Sequence, residues 1–470
     1  MTDTESRWVV NPMPFASHMS DHEALMWQLE KDPWFDPSGS SIAICEEPID
    51  YEDFVRRLRW AIVNTPRLRE RVIPTMGKIS TPEWQLDPEF ELNYHIRRIA
   101  LAGDGTRRDL FDLAMLLHQD PFDRSRPLWR VVIIEGLEHG QSALMIKMHH
   151  TIADGIGALK MAEFYMQGSA RDELPPEVDF DDYEPVQSES EHRTGLVDVL
   201  RSVVGEIATW GADPLRVVDI GNTVVSSAQE AIGDVFGESD HNGCSPLFVN
   251  RSRRRRLDTI AIDLGKAKKA ATRLGGTIND VFLTAVAEGA INYHQDLGAH
   301  LDTLSMTFVI STREKGDRSS NAFVPVRLPI DADNLTLRQR FNAVSGAASA
   351  QKAQRSSNTS SAVIGTVATR LPTSLLTKLA RRQTAGIDIA TSNLRAAPFE
   401  VFISGAKLLE TYPLGPVAGT AANITAMSYN GTLYVGIVSD PASITDPERF
   451  QRNIQAAFDG LFRLRKLKAK

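Results

Sequence analysis

The chain has 470 residues, with 52 Lys plus Arg against 60 Asp plus Glu, giving a formal net charge of −8. Hydrophobic residues make up 42% and charged residues 24%, too apolar for a disordered chain and too polar for a polytopic membrane protein. The acidic balance excludes the basic footprint of a nucleic-acid-binding protein, so no nucleic-acid partner is expected. The cysteines, Cys45 and Cys244, lie far apart and no CxxC occurs, which argues for reduced residues rather than a zinc module. The opening MTDTESRWVV carries acids where a signal peptide would carry positive charge. A cytoplasmic protein is expected, free to touch a membrane or lipid inclusion peripherally but not to cross it.

In chain order, Ser17 to Lys31 has helical spacing, and Ile49 to Asn64 sets Phe54, Leu58, Ala61 and Ile62 on one face. Ser41–Cys45 and Leu92–Ile96 read as extended. Arg130–Glu135 is a strand, Gly136 to Gly140 a turn and Ser142–His150 a returning strand. The first domain spans 1–171. The segment 172–245 is a linker: Asp172 to Glu191 is rich in acids, Pro and Ser, and Gly195 to Phe236 is amphipathic. The second domain spans 246–470. Ile260–Leu264 is its first strand. The Lys266–Leu274 helix stops at Gly275-Gly276, and Thr277 caps the helix Asn279–Gln295. Leu304–Ser311 and Ala322–Leu328 read as strands, Asn334–Gln354 as a helix and Ser356–Ser361 as a polar break. Glu400–Val438 alternates in β fashion, and Asp446–Leu464 closes the chain as a helix. Two α/β units of similar size leave a groove between them, a favoured place for a ligand.

The sharpest chemical signal is His149-His150-Thr151-Ile152-Ala153-Asp154-Gly155, where a strand runs into a helix. Neighbouring strand residues face opposite ways, so one histidine points into a site and the other packs away. Parity groups His150 with the apolar Leu144, Ile146 and Met148. Asp154 stands past the strand end, better placed to hold the loop and pair with an arginine than to react. Gly155 gives the backbone freedom to turn. An imidazole suits general-base work near neutral pH. There is no Gly-x-Ser-x-Gly elbow and no cysteine near the motif, so direct attack is simpler than an acyl-enzyme. The opposed histidines and the lack of a third close ligand argue against a metal.

At this string the chain resembles the bacterial wax ester synthase/diacylglycerol acyltransferase family, within the CoA-dependent acyltransferases that include peptide-synthetase condensation domains. Further resemblance is carried by Phe90 to His95, by Pro121 to Trp129 with Glu135-Gly136-Leu137, and by Gly276 to Val281. Ser311-Thr312-Arg313 with Asn321, Asn423-Ile424-Thr425, and Ser428 to Gly431 add to it. The resemblance implies two chloramphenicol-acetyltransferase-like α/β domains joined by a linker, with a tunnel between them. It implies acyl transfer from acyl-CoA to a long-chain alcohol or a diacylglycerol, with His150 as the base, acyl-CoA as co-substrate and no further cofactor. His149, Asp154 and Gly155 complete the implied catalytic motif. Pro127, Leu128, Trp129, Asn279, Asp280, Ser392 and Asn393 are implied to shape the substrate pocket, and Arg69 to pair with Asp154. One segment departs from the family. Where it shows Asn-Val-Pro-Gly-Pro, this chain reads Thr391-Ser392-Asn393-Leu394-Arg395-Ala396-Ala397-Pro398, which bears on acceptor choice. Two basic runs, Arg251 to Arg256 and Arg463 to Lys468, read as exposed edges, with CoA phosphates or lipid headgroups as alternative partners.

Overall fold

Helix starts along the chain are written in side chains that satisfy free N–H groups. Capping boxes begin α1 (Asp21–Leu29), α3 (Arg107–Gln119) and α6 (Ile278–Asp296), built from Ser20 with Glu23, Thr106 with Asp109 and Thr277 with Asp280. Asp50, Asp154 and Asp263 cap α2 (Tyr51–Asn64), α4 (Gly155–Ala162) and α5 (Leu264–Leu274). Gly275, in the left-handed region at φ 81°, ends α5. Helices α7 (Leu337–Ser356), α8 (Thr373–Ala385) and α9 (Pro447–Arg463) follow. The computed structural model describes residues 8–13, 15–74, 81–183, 187–188, 226, 245–311, 323–356, 372–416 and 418–465. The amphipathic stretch 195–236 (apart from residue 226), Cys244, Thr312, Arg313, Asn321, the break at 357–361 and Lys466 to Lys468 lie outside the described residues.

Two mixed sheets form the frame. The first contains β1 (Ser38–Cys45), β2 (Ile96–Ala100), β3 (Trp129–Glu135), β4 (Ser142–His149) and β5 (Met166–Gln167). The second contains β6 (Arg256–Asp263), β7 (Thr303–Ser311), β8 (Phe323–Asp331) and β9 (Ile389–Arg395). Four strands follow: β10 (Phe402–Ile403), β11 (Ala406–Leu414), β12 (Ala422–Tyr429) and β13 (Thr432–Ser439). The first sheet runs β2-β3-β4-β1-β11-β10-β5, and the second β6-β13-β12-β9-β7-β8. Thus β10 and β11 pair into the first sheet although they come from the second half of the chain. The alternation over Glu400–Val438 gave their strand character but not their destination. The reason is packing: Leu408, Tyr412 and Leu414 join the core of the first unit, and β11 also lies against β12 and β13. Pro413 O sits where a Cβ on Gly436 would fall, at 2.1 Å, so that close crossing needs glycine.

Several expectations shift in detail. Leu92–His95 is one turn of helix, and extension begins only at Ile96. The helix expected over Ser17 to Lys31 is Asp21–Leu29. The basic run is not a uniformly exposed edge. Arg251 donates to the carbonyls of Phe248, Thr384 and Gly419, and Arg255 to that of Ser252 beside Asp440. Only Arg253 and Arg254 of that run are exposed. Cys45 is buried, and burial pushes its thiol up to about 12. Among the described residues, no helix is long and apolar enough to cross a membrane.

Candidate active site

Strand β4 delivers the motif. Its partner β1 pairs Ser38 with His149 and Gly39 with Met148. The His150 N–H then donates to Pro37 O at 2.9 Å, fixing the backbone where the strand ends. Asp154 Oδ1 accepts from the Gly157 N–H at 2.7 Å and so starts α4. The turn between histidine and helix is therefore held at both ends.

The two histidines face opposite ways, as alternation dictates. His149 is fully buried on the back of the sheet. Its Nδ1 accepts from the Thr151 N–H at 3.1 Å, with Thr151 Oγ1 2.7 Å away. That places the proton on Nε2, which lies 3.6 Å from Glu30 Oε2. Trp27 meets the ring edge-on, and Arg124 binds Glu30 at 2.6 Å while stacking over Trp27. Lys147 and Asp36 continue this polar cluster, 3.7 Å apart.

His150 lies on the front, against a cavity of about 860 Å³. Met148, Ile146 and Leu144 line the same cavity, and His149 does not. A Cβ placed on Gly39 would stand 3.6 Å from His150 Nε2, so a larger side chain there would cover the nitrogen. Burial pushes His150 down to about 4, opposed by the nearby Asp154 carboxylate and reinforced by His149. The imidazole is accordingly neutral at pH 7, with a lone pair available to take a proton.

The second unit supplies the opposite wall. Ser392, Asn393 and Leu394 of β9 line the cavity, as do Thr307 and Val309 of β7. Where the family's Pro-Gly pair is absent, β9 keeps pairing with β12 as far as Arg395 opposite Ser428. Leu394 reaches over the turn that follows His150, its Cδ2 only 2.8 Å from where a Cβ on Gly155 would fall.

The other sequence candidates divide. Trp129 lines the cavity, donates from Nε1 to Leu68 O at 2.7 Å and stacks on His95 at 4.5 Å. Pro127 and Leu128 do not line it, and Leu128 is a core residue. Asp280 caps α6 through Thr277. Asn279 Oδ1 accepts from Asn393 Nδ2 at 3.3 Å and so touches the wall from behind. Arg69 is buried and donates to the carbonyls of Phe180 and Tyr183. Sequence reasoning missed Gly39, Ser41 and Ala43, three small residues that alternate along β1 and line the cavity. The run of small residues from Ser38 to Ser41 carried no signal of this, because nothing local marked the strand as the neighbour of β4.

With this geometry in place, comparison with known proteins is decisive. Residues 19–282 match the wax ester synthase/diacylglycerol acyltransferase catalytic domain, and residues 320–461 match the WS/DGAT C-terminal domain. The chain belongs to the wax ester synthase/diacylglycerol acyltransferase family. It is 29% identical, over 454 residues, to a Mycobacterium tuberculosis H37Rv protein named "Putative diacyglycerol O-acyltransferase", covering 94% of this chain and 90% of that one. The fold is similar to that of the wax ester synthase/diacylglycerol acyltransferase from Marinobacter aquaeolei VT8, with TM-score 0.64 and 20% identity over 94% of this chain and 98% of that one. The starter condensation domain of rhizomide synthetase, solved with C8-CoA, shares the fold at TM-score 0.56 and 14% identity, covering 96% and 97% of the two chains. The protein is thus an acyltransferase of the acyl-CoA-dependent wax ester and diacylglycerol class.

Proposed function

We propose that this protein moves a fatty acyl group from acyl-CoA to the hydroxyl of a long-chain alcohol or a diacylglycerol, with His150 as general base. The observation that carries the reading is a neutral imidazole at the end of β4, opening on a large apolar cavity walled by both units. An alkanol is too weak an acid to lose its proton unaided, so the proton leaves toward Nε2 as the C–O bond forms. A positioned imidazole contributes about 10²–10⁴-fold to such a step. The tetrahedral intermediate then collapses, and the proton on His150 passes to the departing CoA sulfur. Asp154 holds the turn in this scheme, and Arg69 is its proposed partner. The apolar wall takes the chains of both substrates out of water. Acyl-CoA enters the scheme as co-substrate, in keeping with the C8-CoA bound by the related condensation domain. Peripheral contact with a membrane or lipid inclusion would supply the water-insoluble acceptor.

The test is thiol release from palmitoyl-CoA with hexadecanol or dioleoylglycerol, comparing the wild type with His150→Ala. Loss of turnover in a folded variant is expected. Undiminished turnover overturns the assignment of the base.

A further inference from the structure

We infer that the basic edge made by α8 and residues 249–254 docks this protein on an anionic bilayer, and that the hydroxyl acceptor enters the cavity from that edge. The docking role rests on the acyl-transfer reading above and adds to it the surface used and the lipid charge selected.

Charge is spread unevenly along the chain. The net charge is −8, yet residues 246–255 and α8 together hold seven Lys or Arg and no Asp or Glu. Two of the seven turn inward. Arg251 lies 3.5 Å from the buried Asp388, and Arg255 lies 3.6 Å from the buried Asp440. These two arginines pin the loop, and Arg253 and Arg254 between them project into water. On α8, Leu376, Ala380 and Thr384 are buried at a spacing of four, which leaves Leu375, Lys378, Arg381 and Arg382 on the outer face. Asp32 of the first unit occupies Arg381 through two hydrogen bonds of 2.6 Å. Arg253, Arg254 and Lys378 have no acidic partner among the described residues. Lys31, beside Asp32, is exposed too.

These pieces meet at one edge of the cavity. Arg251 donates to Thr384 O and Gly419 O, which ties the basic loop to the last turn of α8. Hydrogen bonds from Arg381 hold the Asp32 carboxyl below its usual range against partial burial, and Arg253 stands near enough to add to the effect. Trp34 packs so closely on Gly419 that a Cβ there would overlap its ring. Thr384, Phe35, Pro416 and Ala418 line the cavity, and the last two are only half-buried, so the wall comes up toward the surface here. Val249, 57% exposed, and Leu375, 36% exposed, stand among the cations. Cations around bare aliphatic side chains suit the headgroup region of a bilayer, where the charges meet anionic lipids and the aliphatic groups reach the acyl boundary. A site for one free phosphate would instead converge its cations on a pocket. A second edge, by α4 and residues 395–400, is apolar at Ile156 and Phe399 but sets Lys160 and Arg395 against Glu163 and Glu400, so it favours neither sign of charge. A diacylglycerol or long-chain alcohol resides in lipid, and an edge resting on lipid lets it enter without crossing water.

The experiment is co-sedimentation of the full chain with phosphatidylcholine vesicles, with and without phosphatidylglycerol, at low and high salt. The triple variant Arg253→Gln, Arg254→Gln, Lys378→Gln is compared with the wild type and with Phe399→Ser. Thiol release is measured on the same proteins from octanoyl-CoA, a donor that stays in water, with either vesicle-borne dioleoylglycerol or dissolved octanol as acceptor. The wild type is expected to bind vesicles containing phosphatidylglycerol, to leave them at high salt and to bind phosphatidylcholine alone weakly. The triple variant is expected to bind about 100-fold more weakly, about fivefold for each cation lost. Its rate on vesicle-borne acceptor relative to octanol is expected to fall by about tenfold or more. Equal binding to neutral and anionic vesicles, wild-type binding by the triple variant, or a loss confined to Phe399→Ser overturns the docking edge. A raised KM for octanoyl-CoA with both acceptors and intact vesicle binding overturns it in favour of CoA phosphates. Charge-dependent vesicle binding with no thiol released from octanoyl-CoA or palmitoyl-CoA by any acceptor supports the docking edge and overturns the acyl-transfer reading.

Discussion

The two faces of β4 bury two histidines in opposite ways. On the back, His149 is wrapped by Thr151, Glu30 and Trp27, and every neighbour is a packed or hydrogen-bonding group. On the front, His150 borders open space lined by aliphatic side chains. The end of one strand thus places a histidine packed on every side next to a histidine that faces a cavity. Burial alone does not separate the two roles. What separates them is whether the surrounding volume is filled.

That contrast can be broken most directly by removing each ring in turn. His150→Ala is expected to lower turnover by about 10²-fold or more while leaving the thermal midpoint near wild type. His149→Ala opens a cavity in packed protein and strips partners from Thr151 and Glu30, so a loss of about 2–4 kcal/mol in stability is expected. Chemical denaturation and thiol release, measured together, check the pair. A His149→Ala protein of undiminished stability would erase the distinction.

pH sharpens the comparison next. Because burial holds His150 near 4, kcat/KM is expected to stay level down to about pH 5 and to fall below it as the base becomes protonated. His95 and His118 are also pushed down to about 4 by burial. Unfolded histidines take up protons near pH 6.5, so the unfolded state binds more protons and stability declines as pH falls from about 6.5 toward 4. Asp388 works the other way, since burial raises it to about 6 and the folded state holds that proton. These four groups together are expected to take up about two protons on unfolding at pH 5. Thermal midpoints between pH 7 and pH 5 measure it.

The cap on the front-face turn comes third. Asp154→Ala is expected to cost about 1 kcal/mol through the lost contact to Gly157, and to lower activity as the turn loosens. Asp154→Asn keeps a capping oxygen and is expected to recover most of the stability. The smallest effect lies at the wall. Gly155→Ala presses its methyl against Leu394, so a modest loss of activity is expected, relieved in the double variant with Leu394→Ala. An additive double variant would show that the two residues do not meet in function.

Much of this was legible in the sequence for a physical reason. Alternation alone assigned His150 to the face of Leu144, Ile146 and Met148, and Thr277 announced the start of α6 through its own chemistry. The helices Arg107–Gln119 and Thr373–Ala385 passed unread. The first holds its buried face with Leu110, Phe111, Ala114 and Met115 among many charges, and the second is largely polar. Long-range pairing was the real blind spot. No local pattern in Ala406–Leu414 says that its partner is Ser38–Cys45, some 360 residues earlier. For the same reason Ser41 and Ala43 gave no hint that they floor a cavity. Arg251 looked like solvent-facing charge because its acceptors are backbone carbonyls contributed by distant loops.

The excursion of β10 and β11 into the first sheet has a consequence for how the polypeptide matures. Until residues 402–414 have been synthesised, β1 keeps a naked hydrogen-bonding flank beside an incomplete core, the kind of surface that recruits other chains. A fragment stopping at residue 245 should therefore clump rather than persist as a free lobe, and supplying residues 246–470 in trans should rescue it. In that sense the first half borrows two strands that it cannot supply itself.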